Sequence, residues 1–256
     1  MGYEFITFER DGKVATLTIN RPPYNVLDIP TMKEMNAALA EAKKMEGLSA
    51  LVLTAAGSKA FSSGVDVKDH TPDKMDEMIE VFHQIFRTLI TFEIPTVAAV
   101  NGVALGGGCE VASFCDMVVA SEHSKFGQPE IMVGVYPSMA VAWFSKIMGL
   151  KRAYELILTG KTIDAKTACD YGLVNQVIPD DQYEEGVKAF IGELTGKSSV
   201  VIRWAKKAIV SGLEVPFEKG LAASEVIYKY ALMETEDAKE GLAAFLEKRK
   251  PVWQEK

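Results

Sequence analysis

The segment Asn101-Gly102-Val103-Ala104-Leu105-Gly106-Gly107-Gly108-Cys109-Glu110 places a carboxylate three residues beyond a glycine able to open a helix. It follows Pro95-Thr96-Val97-Ala98-Ala99-Val100, a short apolar run that reads as a buried strand. A helix N-terminus leaves its first N–H groups unpaired and partly positive. Glycines there let a ligand approach the backbone. Such a place binds an anion, or a carbonyl oxygen that gains negative charge during a reaction. With Gly107 as the first helical residue, Glu110 lies on the same helix face, so a donor and a base address one cleft.

Other readings of these glycines compete. A phosphate loop fails because Gly108 and Cys109 stand where Lys and Ser/Thr are required. A dinucleotide fingerprint fails on glycine spacing, and no acidic residue ends a second strand at the right distance. A structural reading survives from this segment alone: glycines for close packing, and a Glu that complements the helix dipole. A second carboxylate, Glu130 in Phe126-Gly127-Gln128-Pro129-Glu130, falls in a loop after the apolar run 117–120, on the side where Glu110 should lie.

The elements that must position these residues are legible in outline. Residues 5–10 and 14–20 alternate apolar and polar around Asp11-Gly12, a two-residue hairpin signal. Residues 21–25, Arg-Pro-Pro-Tyr-Asn, break the sheet into a loop. Met32, Met35, Leu39 and Ala42 are spaced as one face of a helix over 32–45. A buried strand follows at 50–54, then a loop of small residues at 60–66 and a helix over 72–92 with Pro72 early in it. Strands at 97–100 and 117–120 flank the helix that carries Glu110. The pattern is one of repeated ββα-like units whose loops gather on one side. Beyond about residue 140 the strand signal nearly vanishes, and helices are predicted near 139–148, 151–159, 164–170, 181–195, 199–212, 217–232 and 236–248.

Composition narrows the function classes. A chain of 256 residues, 48% hydrophobic and 25% charged, has ample material for a core. Its net charge of -7 and pI near 5.2 argue against a nucleic-acid surface. No apolar stretch reaches membrane-spanning length, and the start of the chain lacks a secretory apolar segment. Cys109, Cys115 and Cys169 form no CxxC pattern and read as reduced, buried thiols of a cytoplasmic protein. His70, His83 and His123 have no metal-ligand spacing, so no metal is expected.

Taken in order, Gly64-Val65-Asp66, the 101–110 segment, 126–130, Leu158-Thr159-Gly160, Ala168 with Gly172-Leu173-Val174, and Ala244-Phe245 with Glu247-Lys248-Arg249-Lys250 resemble the crotonase superfamily. The match is nearest to its enoyl-CoA hydratases and runs over essentially the whole chain. The resemblance implies an α/β fold, with a spiral core of repeated ββα units over 1–195 and a helical trimerisation region over 196–256. It implies that the Val65 and Gly107 N–H groups form an oxyanion hole for a thioester oxygen. It also implies that Glu110 and Glu130 are paired acid/base groups, Glu130 delivering the α-proton and Glu110 orienting and activating the water. Gly64, Asp66, Val67, Lys68 and Gly106 belong to the matched substrate-binding segments. Lys68, Phe245 and Lys248 match positions at the adenine and phosphate end of coenzyme A, the last two coming from a neighbouring subunit of a trimer or hexamer. Coenzyme A enters as part of the substrate, and no separate cofactor is implied. A superfamily isomerase would work with Glu130 alone, and a non-catalytic CoA- or RNA-binding scaffold would use neither acid.

The chain departs from the hydratase pattern in two places. After Glu130 the family continues with a glycine-rich stretch, whereas here Tyr136-Pro137-Ser138-Met139-Ala140-Val141-Ala142-Trp143 is bulkier. The loop at 21–28 is one residue shorter before Asn25 and aromatic at Tyr24. Both departures resemble the branch that hydrates cyclic dienoyl-CoA thioesters such as cyclohexa-1,5-diene-1-carboxyl-CoA. Tyr24, Tyr136, Met139 and Trp143 are therefore expected to line the acyl pocket, with Met139 and Trp143 narrowing it for a flat ring.

Overall fold

A computed structural model describes residues 2–256. β1 (Ile6–Asp11) and β2 (Val14–Ile19) pair antiparallel with Asp11 opposite Val14, so the connecting pair is Gly12-Lys13, one place later than the sequence signal put it. Gly12 takes the positive φ, 54°, that such a turn needs. α1 (Ile29–Ala42) starts three residues before the apolar spacing begins, because the Asp28 side chain caps it by accepting from the Thr31 N–H at 3.0 Å. Met32, Met35 and Leu39 are fully buried on its inner face.

From there the chain runs in repeats. β3 (Ala50–Ala55) and β4 (Ala60–Ser62) lead to α2 (Met75–Leu89), and β5 (Thr96–Val100) and β6 (Val103–Leu105) lead to α3 (Gly107–Phe114). β7 (Met117–Ser121) and β8 (Lys125–Gly127) lead through a 3-10 turn (Pro129–Val133) to α4 (Ser138–Met148). α5 (Leu150–Thr159), β9 (Thr162–Asp164), α6 (Ala165–Tyr171), β10 (Gln176–Ile178) and α7 (Tyr183–Thr195) follow. The first strand of each repeat enters a six-stranded sheet, β1-β2-β3-β5-β7-β10, and the second enters a four-stranded sheet, β4-β6-β8-β9. The expected ββα repeat is therefore present, each unit contributing one strand to each sheet. Neighbours from β2 through β10 in the larger sheet, and β4, β6 and β8 in the smaller, run parallel.

Both faces of the larger sheet are covered, as parallel strands require. Leu51, Leu53, Ala98, Val100, Val118 and Ala120 join the main core, while Val52, Val97, Ala99 and Val119 meet Ile178 and Tyr183 on the other face. α8 (Ser199–Gly212), α9 (Phe217–Tyr230) and α10 (Glu236–Leu246) complete the chain. α8 is fastened to the sheet: Lys206 Nζ donates to Asp116 Oδ2 at 2.6 Å and to the Ile94 carbonyl at 2.9 Å.

Several expectations need correction. Residues 60–62 are a strand rather than loop, 103–105 and 125–127 are strands, and β9 and β10 lie in the half where the strand signal nearly vanishes. Each is three residues long, too short to show a period of two. The helix expected from Pro72 begins at Met75, leaving Pro72 in the preceding turn. Cys109 and Cys115 are buried free thiols, as expected, but Cys169 is only half-buried. Among the described residues no helix is long and apolar enough to cross a membrane.

Candidate active site

The smaller sheet places the chemistry. Val65 lies just beyond the end of β4, Gly107 just beyond β6 and Glu130 just beyond β8, on three adjacent parallel strands. Neighbouring strands stand about 4.8 Å apart, so three residues distant in sequence are gathered at one carboxyl edge. That edge is where parallel α/β sheets place ligands.

Val65 is held by the loop that follows β2. The Ser63 N–H donates to the Tyr24 carbonyl at 2.9 Å, Leu27 N–H to Gly64 O at 2.9 Å, and Asp66 N–H to Leu27 O at 3.1 Å. Leu27 and Val65 thus form a parallel bridge in which Leu27 bonds to the residues on either side of Val65. The Val65 N–H points away from Leu27 and has no acceptor among the described residues. The loop is anchored by buried Asn25, whose amide donates to the Ala56 and Ala60 carbonyls at 3.0 and 2.7 Å.

Gly107 opens α3, and its N–H is likewise free. A Cβ at Gly64 would lie 3.3 Å from the Gly107 nitrogen, and one at Gly107 would lie 2.8 Å from Val65 Cγ2. The two free N–H groups therefore belong to touching residues, the arrangement an oxyanion needs. Gly106 has φ 52° and ψ -130°, a backbone state reserved for glycine, and a Cβ there would meet Glu130 Oε1 at 2.7 Å. Gly108 has the packing role: a Cβ would meet Ser62 O at 2.6 Å. The structural reading of the glycines thus holds at Gly107 and Gly108, where a Cβ would strike Val65 or Ser62, while at Gly106 it would strike the Glu130 carboxylate.

Glu110 is 2% exposed, and its Oε1 accepts from the Met139 and Ala140 N–H groups at 2.9 and 2.7 Å, in the first turn of α4. Burial pushes its carboxyl up to about 8, and the charge of Glu130 adds to that, while the two amides oppose it. Glu130 is half-buried, and burial pushes it up to about 7. With its amide nitrogen turned toward Glu130, buried Gln128 donates to both carboxylate oxygens at 3.2 and 3.1 Å. Two carboxyls close enough to interact, both held near neutrality, titrate as a pair able to give and take a proton.

The other expected residues divide. The Tyr24 carbonyl accepts from the Ser63 N–H, two residues before Val65, and its exposed ring carries the Lys59 ammonium 4.3 Å from the centroid. Val67, Lys68 and Tyr136 are exposed. Asp66 caps the short turn that follows it, accepting from the Lys68 N–H at 3.0 Å. The Met139 side chain is part of the core, so what it offers the site is its N–H. Trp143 lies one turn further along α4, its ring 4.9 Å from Phe114, lining a cavity of about 480 Å³ between the end of α3 and α8. Phe245 and Lys248 are exposed at the end of α10, within the C-terminal helical layer. Sequence reasoning missed Gln128, although it lay inside the 126–130 segment, and missed Phe82, whose ring would lie 3.1 Å from a Cβ at Gly107. Nothing in residue spacing points to either.

Among the described residues no group of three or more His, Cys, Asp and Glu side chains could hold a metal ion. The profile of the enoyl-CoA hydratase/isomerase family matches residues 9–256, and the chain belongs to that family, within the crotonase superfamily. It is 38% identical over 254 residues to a probable enoyl-CoA hydratase, echA8, of Mycobacterium bovis, covering 98% of each chain. A crotonyl-CoA hydratase of Syntrophomonas wolfei is 33% identical over 255 residues, again covering 98% of each. The crystal structure of an enoyl-CoA hydratase from Bacillus anthracis superposes with a TM-score of 0.93 at 29% identity, covering 99% of this chain and 100% of that one.

Proposed function

We propose that this enzyme adds water across the double bond of an α,β-unsaturated acyl-CoA thioester. The observation that carries the reading is the buried pair Glu110 and Glu130, both near neutrality, beside two unpaired backbone donors. The Val65 and Gly107 N–H groups hold the thioester oxygen as it gains enolate charge. One carboxylate takes a proton from water as its oxygen bonds to the β-carbon, and the other carboxyl gives a proton to the α-carbon. Atoms balance with water as the only co-reactant.

Glu110 activates the water and Glu130 delivers the α-proton. Two features suit this division: the Met139 and Ala140 amides favour a charge on Glu110, and a thioester covering half-open Glu130 would strip water from it and favour its protonated form.

The acyl group is short or ring-shaped, as in a cyclic dienoyl-CoA, a reading supported by the bulky start of α4 and by Met139 filling the core beside Glu110. The working form is a trimer or a dimer of trimers through residues 196–256, with Phe245 and Lys248 offered to a neighbour's coenzyme A. Their exposure supports this, with Phe245 81% exposed, as does the exposed apolar run Ile131-Met132-Val133 just after Glu130.

Parallel assays on crotonyl-CoA and cyclohexa-1,5-diene-1-carboxyl-CoA test the reading. Hydration of either supports the reaction, and their ratio reports the acyl group. Double-bond migration that survives Glu110→Ala would instead mark an isomerase, and coenzyme A binding without turnover a scaffold.

A further inference from the structure

His83 on α2 and Ser138 at the start of α4 are joined by a hydrogen bond, Nε2 to Oγ at 2.7 Å. Each is the chain neighbour of a residue touching the catalytic groups. Phe82 packs against Gly107, and the Met139 N–H holds Glu110. Both side chains are half-buried, and the imidazole sits against the Phe82 and Phe86 rings, with centroids at 6.0 and 6.5 Å. Burial, and then the charge of Arg87, hold His83 below the ordinary histidine range, so it is neutral at neutral pH.

A neutral imidazole has one donor and one acceptor nitrogen, and a hydroxyl has one donor and two lone pairs. The bond between them uses one function of each. His83 Nδ1 has no other partner within the described chain, and neither has Ser138 Oγ. If Nε2–H donates to Ser138, the pair presents a free O–H donor and an Nδ1 acceptor. If Ser138 donates, it presents an Nδ1–H donor and an oxygen lone pair. Either tautomer leaves one donor and one acceptor unused, one on the hydroxyl and one on the far side of the ring, each able to meet a ligand oxygen.

We propose that His83 and Ser138 form a polar subsite of the acyl pocket, which takes a hydroxyl or carbonyl oxygen carried by the acyl group beyond the reacting carbons. The proposal rests on the hydratase reading above. It makes the pair a determinant of specificity, separate from the acid/base groups.

The test compares trans-hex-2-enoyl-CoA with its 5-hydroxy and 6-hydroxy derivatives. The unaltered enzyme should favour at least one hydroxylated thioester by about tenfold in kcat/KM, the worth of one partly buried hydrogen bond. His83→Phe and Ser138→Ala should each bring that ratio to near one, chiefly through KM, and His83→Gln should restore part of it. The ¹⁵N resonances of the His83 ring should also move when the favoured thioester's hydration product binds. Hydration of all three without preference, or a ratio unchanged by both variants, overturns the subsite alone. Hydration of the cyclic dienoyl-CoA but of none of these three overturns the subsite alone, whereas hydration of none of them, of crotonyl-CoA or of the cyclic dienoyl-CoA overturns the hydratase reading, and the subsite with it.

Discussion

Replacing Glu110 by Gln should stabilise the protein at alkaline pH while removing its activity, and both effects arise from one burial. Glu110 is 2% exposed, and its carboxyl is raised from an ordinary 4.5 to about 8. A raised value means that the folded state holds the proton more tightly than the unfolded chain does. That contribution to stability is complete below pH 4.5 and is lost as pH climbs through about 8. At about 1.36 kcal/mol per pH unit the full loss is about 5 kcal/mol. Water reaching the open side of the cleft raises the effective dielectric, so about 2–4 kcal/mol is expected. Gln keeps an acceptor for the Met139 and Ala140 amides and has no charge to bury. The stability difference, variant minus parent, should therefore be level at acid pH, climb through neutrality and level off beyond about pH 8. Thermal midpoints at fixed protein concentration read this out, as about 2–4 °C per kcal/mol for a chain of this size. Hydration should fall by about 10²–10⁴-fold, the usual worth of a general base. A stability difference independent of pH, or a variant weaker than its parent at alkaline pH, would refute the reasoning.

Other consequences follow from the same geometry. Gly106→Ala forces a side chain into a glycine-only backbone state and against Glu130 Oε1, so kcat should fall about 100-fold in steady-state assays. Val65→Ala keeps the backbone donor and should leave kcat/KM within about threefold of the parent. Lys206→Met leaves the Ile94 carbonyl unpartnered under α8 and Asp116 with only its Thr96 donors, and should cost about 2 kcal/mol in urea titration. Sedimentation velocity should give a trimeric or hexameric mass, and Phe245→Ala should raise KM for the acyl-CoA more than it lowers kcat.

How much was legible in the chain depended on segment length and on chemistry. The N-terminus of α3 was readable because an apolar strand, glycines and a carboxylate occur together at helical spacing. Long elements such as α1 showed their period, although the Asp28 cap, not the first apolar residue, set the start. The smaller sheet was invisible, because β4, β6, β8 and β9 are three residues each. Yet that sheet aligns Val65, Gly107 and Glu130, so the residues were nameable while the device that gathers them was not. Met139 shows the other gap: side-chain bulk pointed to a pocket wall, and nothing in the sequence announced that its backbone N–H holds Glu110. The His83–Ser138 contact joins residues 55 apart with no motif to announce it.

Water addition to an enoyl thioester by Glu110 and Glu130 acting together is tested by turnover of crotonyl-CoA in ¹⁸O-enriched water, with mass analysis of the product. One heavy oxygen at the β-carbon is expected with the parent enzyme, and loss of that incorporation with Glu110→Gln and with Glu130→Gln. Incorporation that persists at the parent rate in either variant would contradict it.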